Sequence, residues 1–374
     1  MKYFINTIRI FIGLFFLFSG FTKAIDPLGL SFKLEEYFEE SVLNLPFLID
    51  FTLPISLFVI GLEIFLGIVL LIGTKKKWVF LLLLGLILFF SFLTFYSAYF
   101  NKVTDCGCFG DALKLTPWES FYKNMVLLFM ILIVFIGKKY IIIPFSKISS
   151  NFTIITTLCI YIFVAYYGLF HLPLIDFRAY KEGTNIINGM KSAKELGLPE
   201  PKTQLIYTLK EKQTQQEMQV SDEEYINKGW WEKTNWEIDT TKTQQKLLDK
   251  GYEPPIKDFI INCQGKEITQ EVLREEKLVL ITSYKPDAIS KKALQVATNL
   301  IKELEKEKIR VIFVSPKKIK NIETCTMDET VIKTMIRANP GVILLNKATI
   351  LKEYHWNDVP QIKEISNILE KKSQ

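Results

Sequence analysis

Two cysteines separated by a single glycine are the residues with the most evident chemistry in this 374-residue chain. They lie in the sequence TDCGCFG at residues 104–110, just beyond the end of a long apolar run. Thiol–disulfide exchange needs an accessible thiolate and a second sulfur close enough to resolve the mixed disulfide. Cys106 and Cys108 supply both on one short loop, and Gly107 gives the backbone the freedom that a small ring requires. The spacing therefore predicts a redox-active thiol pair at a membrane surface.

Other interpretations of this pair stay open. The cysteines could form a static disulfide, with each other or with Cys263 or Cys325, or they could stay reduced and pack against the membrane interface. A bond between Cys263 and Cys325 themselves is also conceivable in an oxidising compartment. A metal site is disfavoured because the only two histidines, His171 and His355, make no motif with ligand spacing. We therefore predict no metal site, and no resident cofactor is evident.

The apolar residues are concentrated in the first half of the chain, which predicts a membrane part and a globular part. Five runs are long enough to cross the hydrocarbon layer of a lipid bilayer as helices, at 3–21, 47–72, 78–100, 122–143 and 152–170. The predicted division is a four-helix membrane domain, a fifth transmembrane helix, a connecting module and an α/β domain, at 1–145, 146–175, 176–257 and 258–374.

Lysine clusters indicate the side of the membrane that each loop faces. Residues 75–77 are lysines, Lys138, Lys139 and Lys147 lie between the fourth and fifth runs, and the loop after the first run is acidic. By the positive-inside rule the amino terminus is cytoplasmic. The first run is interpreted as a retained anchor, because it is long for a signal peptide. We expect a multi-pass protein of the bacterial cytoplasmic membrane, with the Cys106 loop and the carboxy-terminal domain on the periplasmic side.

Two ionisable residues fall inside the predicted spans, Arg9 in the first and Glu63 in the second. A charge in hydrocarbon is costly and is normally paired or directed towards a cavity. One hypothesis is that Arg9 and Glu63 pair across the bundle. The alternative is that Arg9 extends to the lipid headgroups while Glu63 is protonated.

From about residue 258 the pattern alternates between strands and helices. The predicted elements are strands at 278–284, 309–315, 342–345 and 350–354, the last two forming a hairpin, and helices at 287–308, 328–337 and 360–371. This order resembles a thioredoxin-like domain, in which a cis-proline precedes the third strand, and Pro340 stands at that place. Where a thioredoxin carries Cys-x-x-Cys, residues 283–288 read SYKPDA. We therefore expect a non-catalytic module that docks a partner.

The connecting module carries two short runs with strand-like alternation, at 204–209 and 217–220. It also carries three tryptophans, Trp230, Trp231 and Trp236. We expect the tryptophans to form a small core or to contact lipid headgroups.

Several motifs in the membrane part resemble one family. The sequence LFSGFTK at 17–23, followed by Asp26-Pro27, resembles the first-helix signature of DoxX-type membrane proteins. The sequences YSAY at 96–99 and DCGCFGD at 105–111 resemble the MauE (methylamine utilisation) branch. The resemblance covers about the first 145 residues. It implies a four-helix bundle that delivers oxidising equivalents, or assists disulfide formation, in an extracytoplasmic partner.

These observations give two functional expectations. In the first, the protein is a thiol–disulfide oxidoreductase in which Cys106 and Cys108 exchange disulfides with an extracytoplasmic protein docked by the tail. A membrane quinone would then accept the electrons, by functional analogy with other four-helix thiol oxidases. In the second, the chain is a non-enzymatic scaffold or assembly factor with a structural Cys-Gly-Cys. Nucleic acid is not an expected partner, because no basic stripe with interleaved aromatics lies outside the membrane part.

Overall fold

The computed structural model of the chain describes residues 1–100, 102–103, 110, 112–113, 115–249 and 251–371. In this part of the chain, five helical segments are long and apolar enough to cross a membrane, as predicted. They are α1 (Lys2–Ile25), α3 (Thr52–Ile72) with the 3₁₀ helix Pro46–Phe51 before it, α4 (Lys77–Phe100), α5 (Pro117–Ile136) and α6 (Lys147–Phe170). The fourth span ends at Ile136 and not near residue 143, because Gly137 and the 3₁₀ helix Lys138–Tyr140 follow it.

Helices α1 and α3 approach each other closely through glycine. A Cβ atom on Gly67 would lie 3.0 Å from the carbonyl oxygen of Gly13 and 3.0 Å from the backbone nitrogen of Leu17. Small residues at such a contact allow two helix backbones to pack in a membrane, where the hydrophobic effect does not drive helices together. The buried faces of α1, α3, α4 and α5 form one apolar core, which includes Ile12, Ile64, Leu83 and Ile131.

A helix, α2 (Pro27–Phe38), occupies the segment that the sequence suggested was an acidic loop. Its start follows ordinary capping chemistry, since the side chain of Asp26 accepts a hydrogen bond from the backbone N–H of Gly29 at 3.0 Å. Proline is at the first helical position, where its missing N–H costs nothing. Leu34 and Tyr37 are buried on the face that packs against the bundle, while the glutamates begin at Glu35.

The carboxy-terminal region is a mixed sheet flanked by helices. Its strands are β4 (Asn262–Cys263), β5 (Lys266–Glu267), β6 (Leu278–Thr282), β7 (Arg310–Ser315), β8 (Cys325–Thr326), β9 (Gly341–Asn346) and β10 (Thr349–His355). Its helices are α10 (Thr269–Val272), α11 (Lys291–Lys306), α12 (Glu329–Met335) and α13 (Ile362–Lys371). The sheet order is β10-β9-β6-β7-β8-β4-β5, with β6 and β7 parallel and β9 and β10 antiparallel. The predicted alternation of strands and helices, including the hairpin, is confirmed.

The two cysteines of this region form a disulfide. Cys263 on β4 and Cys325 on β8 are bonded, with their Cα atoms 4.4 Å apart. The strands are antiparallel neighbours, and Asn262 pairs with Thr326, so the two cysteines stand opposite each other. The Cys263–Cys325 bond that the sequence allowed is therefore present, and the alternative of a bond from either cysteine to Cys106 or Cys108 is wrong in this structure.

The chain divides into two compact units, Met1–Ile186 with Asp258–Gln374, and Ile187–Lys257. The second unit contains a three-stranded antiparallel sheet in the order β2-β1-β3, built from β1 (Lys202–Glu211), β2 (Glu217–Ser221) and β3 (Trp236–Asp249). Its helices are α8 (Ala193–Leu196) and α9 (Asp222–Asn227), and α7 (Ile186–Met190) begins at the unit boundary. The first two strands confirm the predicted alternation. The rings of Trp230 and Trp236 meet edge to face at 5.5 Å and form a small cluster.

Candidate functional site

The predicted redox pair falls between two membrane helices. Helix α4 ends at Phe100 and α5 begins at Pro117, so the sequence assigns Cys106 and Cys108 to the connection between them. Both cysteines lie outside the described residues. The described residues on either side of that connection, and the elements that contact them, form its surroundings.

Glu63 forms a buried ion pair with Lys23 and not with Arg9. The ammonium of Lys23 lies 2.7 and 2.9 Å from the two carboxylate oxygens of Glu63 and also donates to Ser19 Oγ at 2.7 Å. The side chains are only 2% and 5% exposed, which explains why both charges need a partner. The hypothesis of an Arg9–Glu63 pair is therefore wrong. The sequence does carry a signal for Lys23 as a buried cation, because Ser19 and Lys23 are four residues apart and share one face of an apolar helix.

Arg9 instead contacts the carboxyl end of α3. Its guanidinium donates to the carbonyl oxygens of Leu70 at 2.8 Å and Leu71 at 3.3 Å. The last carbonyls of a helix have no partner within the helix and carry a partial negative charge, so a cation there is favourable. Gly73 ends α3 with φ 91°, and a Cβ on it would lie 2.6 Å from an Arg9 nitrogen. The close approach of Arg9 thus depends on glycine at this position.

A small cavity of about 20 Å³ lies beside the Lys23–Glu63 pair, between α1, α3, α4 and α5. That volume suits about one water molecule. Lys123 and Asn124 line it on α5, and the rest of its wall is mainly apolar, including Phe15, Phe16, Leu86, Ile87, Phe90 and Leu127. The cavity therefore carries two ammonium groups and one carboxylate within a largely apolar wall.

In the carboxy-terminal region, residues 283–288 lie beside Pro340. The Asn339–Pro340 peptide bond is cis and immediately precedes β9. The hydroxyl of Ser283 is 2.6 Å from Oδ1 of Asn339, and Nδ2 of Asn339 donates to the carbonyl oxygen of Lys285 at 2.8 Å. The two segments therefore lie together at one end of the neighbouring strands β6 and β9, and Tyr284 belongs to the first segment.

This end of the sheet and the segment from α12 to Arg337 pack against α2. The Arg337 guanidinium donates to Asp26 Oδ2 at 2.8 Å, and Lys333 pairs with Glu35 at 3.0 Å. Between the two ion pairs, the ring of Phe32 meets Tyr284 edge to face at 5.2 Å. We call Tyr284, Lys333 and Arg337 the α2-binding face. Sequence reasoning missed it, because α2 itself was interpreted as a loop.

Burial and charge act together in the α2-binding face. Burial disfavours the charged form of Lys333, but its ion pairs with Glu329 and Glu35 outweigh burial, so the pKa of Lys333 is raised. Burial raises the pKa of Tyr284 to about 12; the nearby Arg337 opposes this shift, and Glu35 and other nearby carboxylates add to it. The tyrosine is therefore a neutral phenol at neutral pH, and it serves as a ring contact for Phe32.

Helix α2 and the segment just after it also contact the end of α4. The hydroxyl of Ser97 donates to the hydroxyl oxygen of Tyr37 at 2.9 Å, and the hydroxyl of Tyr96 donates to the carbonyl oxygen of Val42 at 2.7 Å. Both α4 residues lie in its last turn and a half, shortly before the connection that carries the Cys-Gly-Cys sequence. Helix α2 therefore lies between the α2-binding face and this end of α4.

A second set of contacts holds the carboxy-terminal region to the end of α6. Arg178 bridges Asp176 and Glu353, each at 2.6 Å, and His171 pairs with Asp358 at 2.7 Å. The side-chain amide of Asn357 donates to the carbonyl oxygen of Phe170 at 2.9 Å. Burial raises the pKa of Glu353 to about 7, although the nearby Arg178 lowers it. These contacts do not involve α2.

One comparison with known proteins matches the region of the first four membrane helices. The family model described as methylamine utilisation protein MauE matches residues 1–137. Together with the five apolar helices, this match supports a MauE-type membrane protein. No curated protein matches the chain, and no solved structure matches it.

Proposed function

We propose that the chain exchanges disulfides with a partner protein through Cys106 and Cys108. The observation that carries this proposal is the Cys-Gly-Cys sequence between α4 and α5, within the part that matches MauE. The two sulfurs are close in sequence, so they can form a disulfide with each other that a partner thiolate can open.

In the proposed exchange, the Cys106–Cys108 loop is the oxidant. A thiolate of the partner attacks one sulfur of the Cys106–Cys108 disulfide, the S–S bond breaks, and a mixed disulfide forms. The second thiolate of the partner then attacks its own sulfur in that bond, which oxidises the partner and leaves the loop as two thiols. A membrane quinone, proposed by functional analogy alone, takes two electrons and two protons from the loop and becomes a quinol.

The carboxy-terminal region is proposed to be a thioredoxin-like module that docks the partner. The order of its strands and helices supports this, as does the position of Pro340 directly before β9. Residues 283–288 contain no thiol, so the module is not proposed to react itself. On the positive-inside argument, the amino terminus is cytoplasmic and this module is periplasmic.

Thiol trapping in intact cells tests the proposal. Cells are quenched with acid, thiols are alkylated with a mass-shifting maleimide, and the Cys106/Cys108 state is followed through a brief pulse of dithiothreitol and its removal. Cys106→Ser and Cys108→Ser are compared with Cys159→Ser, a matched control that removes an exposed free cysteine in α6.

A functional pair is reduced by the pulse and promptly reoxidised, and one of the two serine variants accumulates a mixed disulfide of higher mass. The trapped partner is then identified by mass spectrometry. A pair that stays in one state throughout, with both serine variants functional, contradicts the proposal and favours the scaffold. The absence of Cys-x-x-Cys from the carboxy-terminal region is the observation that favours the scaffold.

A further inference from the structure

We propose that the α2-binding face recognises an acidic, aromatic helical segment of the partner protein and that α2 is its resident occupant. This inference rests on the docking role proposed above and names the chemistry of the partner. A partner segment of the same character would displace α2 from Tyr284, Lys333 and Arg337.

The face is complementary to one aromatic ring with a carboxylate on each side. The Lys333 ammonium lies 5.1 Å, and the Arg337 guanidinium 5.5 Å, from the centre of the Phe32 ring. Cations over an aromatic face are attracted by its negative potential, and the attraction grows when water is excluded. The same two cations pair with Glu35 and Asp26. The recognised pattern is therefore carboxylate, aromatic, carboxylate at positions 26, 32 and 35 of a helical segment.

When this contact opens, Lys333, Arg337 and Asp26 each keep a second polar contact. Lys333 also pairs with Glu329 of its own helix at 2.7 Å, and Arg337 also donates to the carbonyl oxygen of Lys333. On the other side, Asp26 keeps its hydrogen bond from the backbone N–H of Gly29. A buried charge stripped of its partner would be strongly destabilising. Because these groups retain partners, the contact is suited to exchange of its occupant.

The carboxy-terminal region stays attached when α2 leaves the face. The Arg178–Glu353 and His171–Asp358 pairs and the hydrogen bond from Asn357 to Phe170 all lie outside the α2 contact. The face can therefore open to a partner while the region remains held to the end of α6.

The test is a competition between α2 and the same sequence supplied as a peptide. A fluorescent peptide of residues 26–39 (DPLGLSFKLEEYFE) is titrated into the full chain in lipid nanodiscs, and binding is followed by anisotropy. A tethered occupant acts at a high effective concentration, so the unaltered chain should bind the free peptide weakly. A chain with Phe32→Ala and Glu35→Gln, which we call the opened chain, has a weakened resident α2. It should bind the free peptide at least about tenfold more tightly than the unaltered chain does.

Two controls define the specificity. Glu182→Gln removes a carboxylate from an exposed pair with Lys352, away from α2, and should leave peptide affinity at the level of the unaltered chain. Lys333→Glu with Arg337→Glu, added to the opened chain, should abolish binding of the natural peptide. A peptide with Asp26→Lys and Glu35→Lys should restore binding, which also shows that the reversed face is folded.

Equal affinity of the opened and unaltered chains overturns the inference, as does binding that survives charge reversal of the face. No measurable binding to the opened chain overturns it as well. The titration does not depend on thiol chemistry, so a failure of the Cys106–Cys108 proposal would be seen in the trapping experiment alone.

Discussion

The ammonium of Lys23 lies 2.7 Å from Oε2 of Glu63, joining α1 to α3 inside the membrane bundle. Ser19 accepts the remaining hydrogen bond of the ammonium. The pair lines the small cavity that Lys123 and Asn124 of α5 also line. This contact between α1 and α3 is a buried ion pair, so removing one of its two charges should be far more costly than removing both.

We expect Glu63→Leu to destabilise the membrane part strongly, by about 3–5 kcal/mol, because it leaves a buried ammonium without its carboxylate. The double change Lys23→Met with Glu63→Leu removes both charges and should recover most of the loss. The free energy of unfolding in lipid nanodiscs, measured by steric trapping, compares the variants. Glu36→Gln, at the more exposed Lys33–Glu36 pair, is the control and should cost less than about 1 kcal/mol. A double variant as unstable as the single one would contradict the argument.

Two glycines of the membrane part should respond oppositely to alanine. A Cβ on Gly73 would lie 2.3 Å from the carbonyl oxygen of Ile142, in a backbone conformation with φ 91°. Gly73→Ala should therefore destabilise the chain and disturb the contact of Arg9 with the end of α3. Gly85→Ala, inside α4 with no atom within 4 Å of the new methyl, should be neutral or stabilising by up to about 1 kcal/mol. Thermal midpoints in nanodiscs separate the two, and equal midpoints would refute the prediction.

The Cys263–Cys325 disulfide ties the short β4–β5 hairpin to the rest of the sheet across 62 residues of chain. Replacing both cysteines with serine should lower the unfolding free energy of the carboxy-terminal region by about 2–5 kcal/mol, because the unfolded chain gains freedom. Dithiothreitol should lower the stability of the unaltered chain towards that of the variant and leave the variant unchanged. Cys159→Ser serves as the control. Equal stability with and without the bond would show that it contributes nothing.

Glu353 should make the stability of the carboxy-terminal region depend on pH. Folding raises its pKa from 4.5 to about 7, so the folded state holds this proton more tightly than the unfolded chain. Its stabilising contribution is complete below the ordinary pKa and is lost as the pH rises through about 7. Glu353→Gln should flatten the pH dependence of the unfolding midpoint in that window.

The comparison is made as a difference between two chains over the same pH series. His355, whose pKa is lowered to about 4 by burial, titrates in an overlapping range but is present in both chains, so the difference isolates Glu353. Glu305→Gln, on the exposed surface of α11, is the matched control. A slope that survives Glu353→Gln would assign the pH dependence to another group.

The proposed orientation is tested by labelling intact cells with a membrane-impermeant maleimide. In a background with Cys106→Ser and Cys108→Ser, Lys318→Cys introduces a thiol on the exposed surface of the carboxy-terminal region, and Lys75→Cys introduces one between α3 and α4. The positive-inside rule predicts that Lys318→Cys is labelled in cells with a permeable outer envelope, whereas Lys75→Cys is labelled only after lysis. The reverse pattern would invert the topology.

The sequence by itself determined the membrane spans and the alternating strands and helices of the carboxy-terminal region. Both follow from local patterns, since a run of about 20 apolar residues or a β-α-β alternation is written in consecutive positions. The Cys-Gly-Cys pair is likewise evident from spacing alone. The acidic segment after α1 was wrongly interpreted as a loop because of its glutamates, although Asp26 and Pro27 form a helix-start signal.

Only the tertiary structure decided which charges meet. Arg9 and Glu63 were both recognised as needing partners, but the choice of Lys23 for Glu63, and of the end of α3 for Arg9, depends on how the helices are rotated and offset. The same is true of Arg337 and Asp26, which are 311 residues apart and meet only because α12 lies against α2. Long-range electrostatic pairs have no local signature, because Coulomb attraction depends on distance in space and on burial, and neither is encoded at a fixed spacing along the chain.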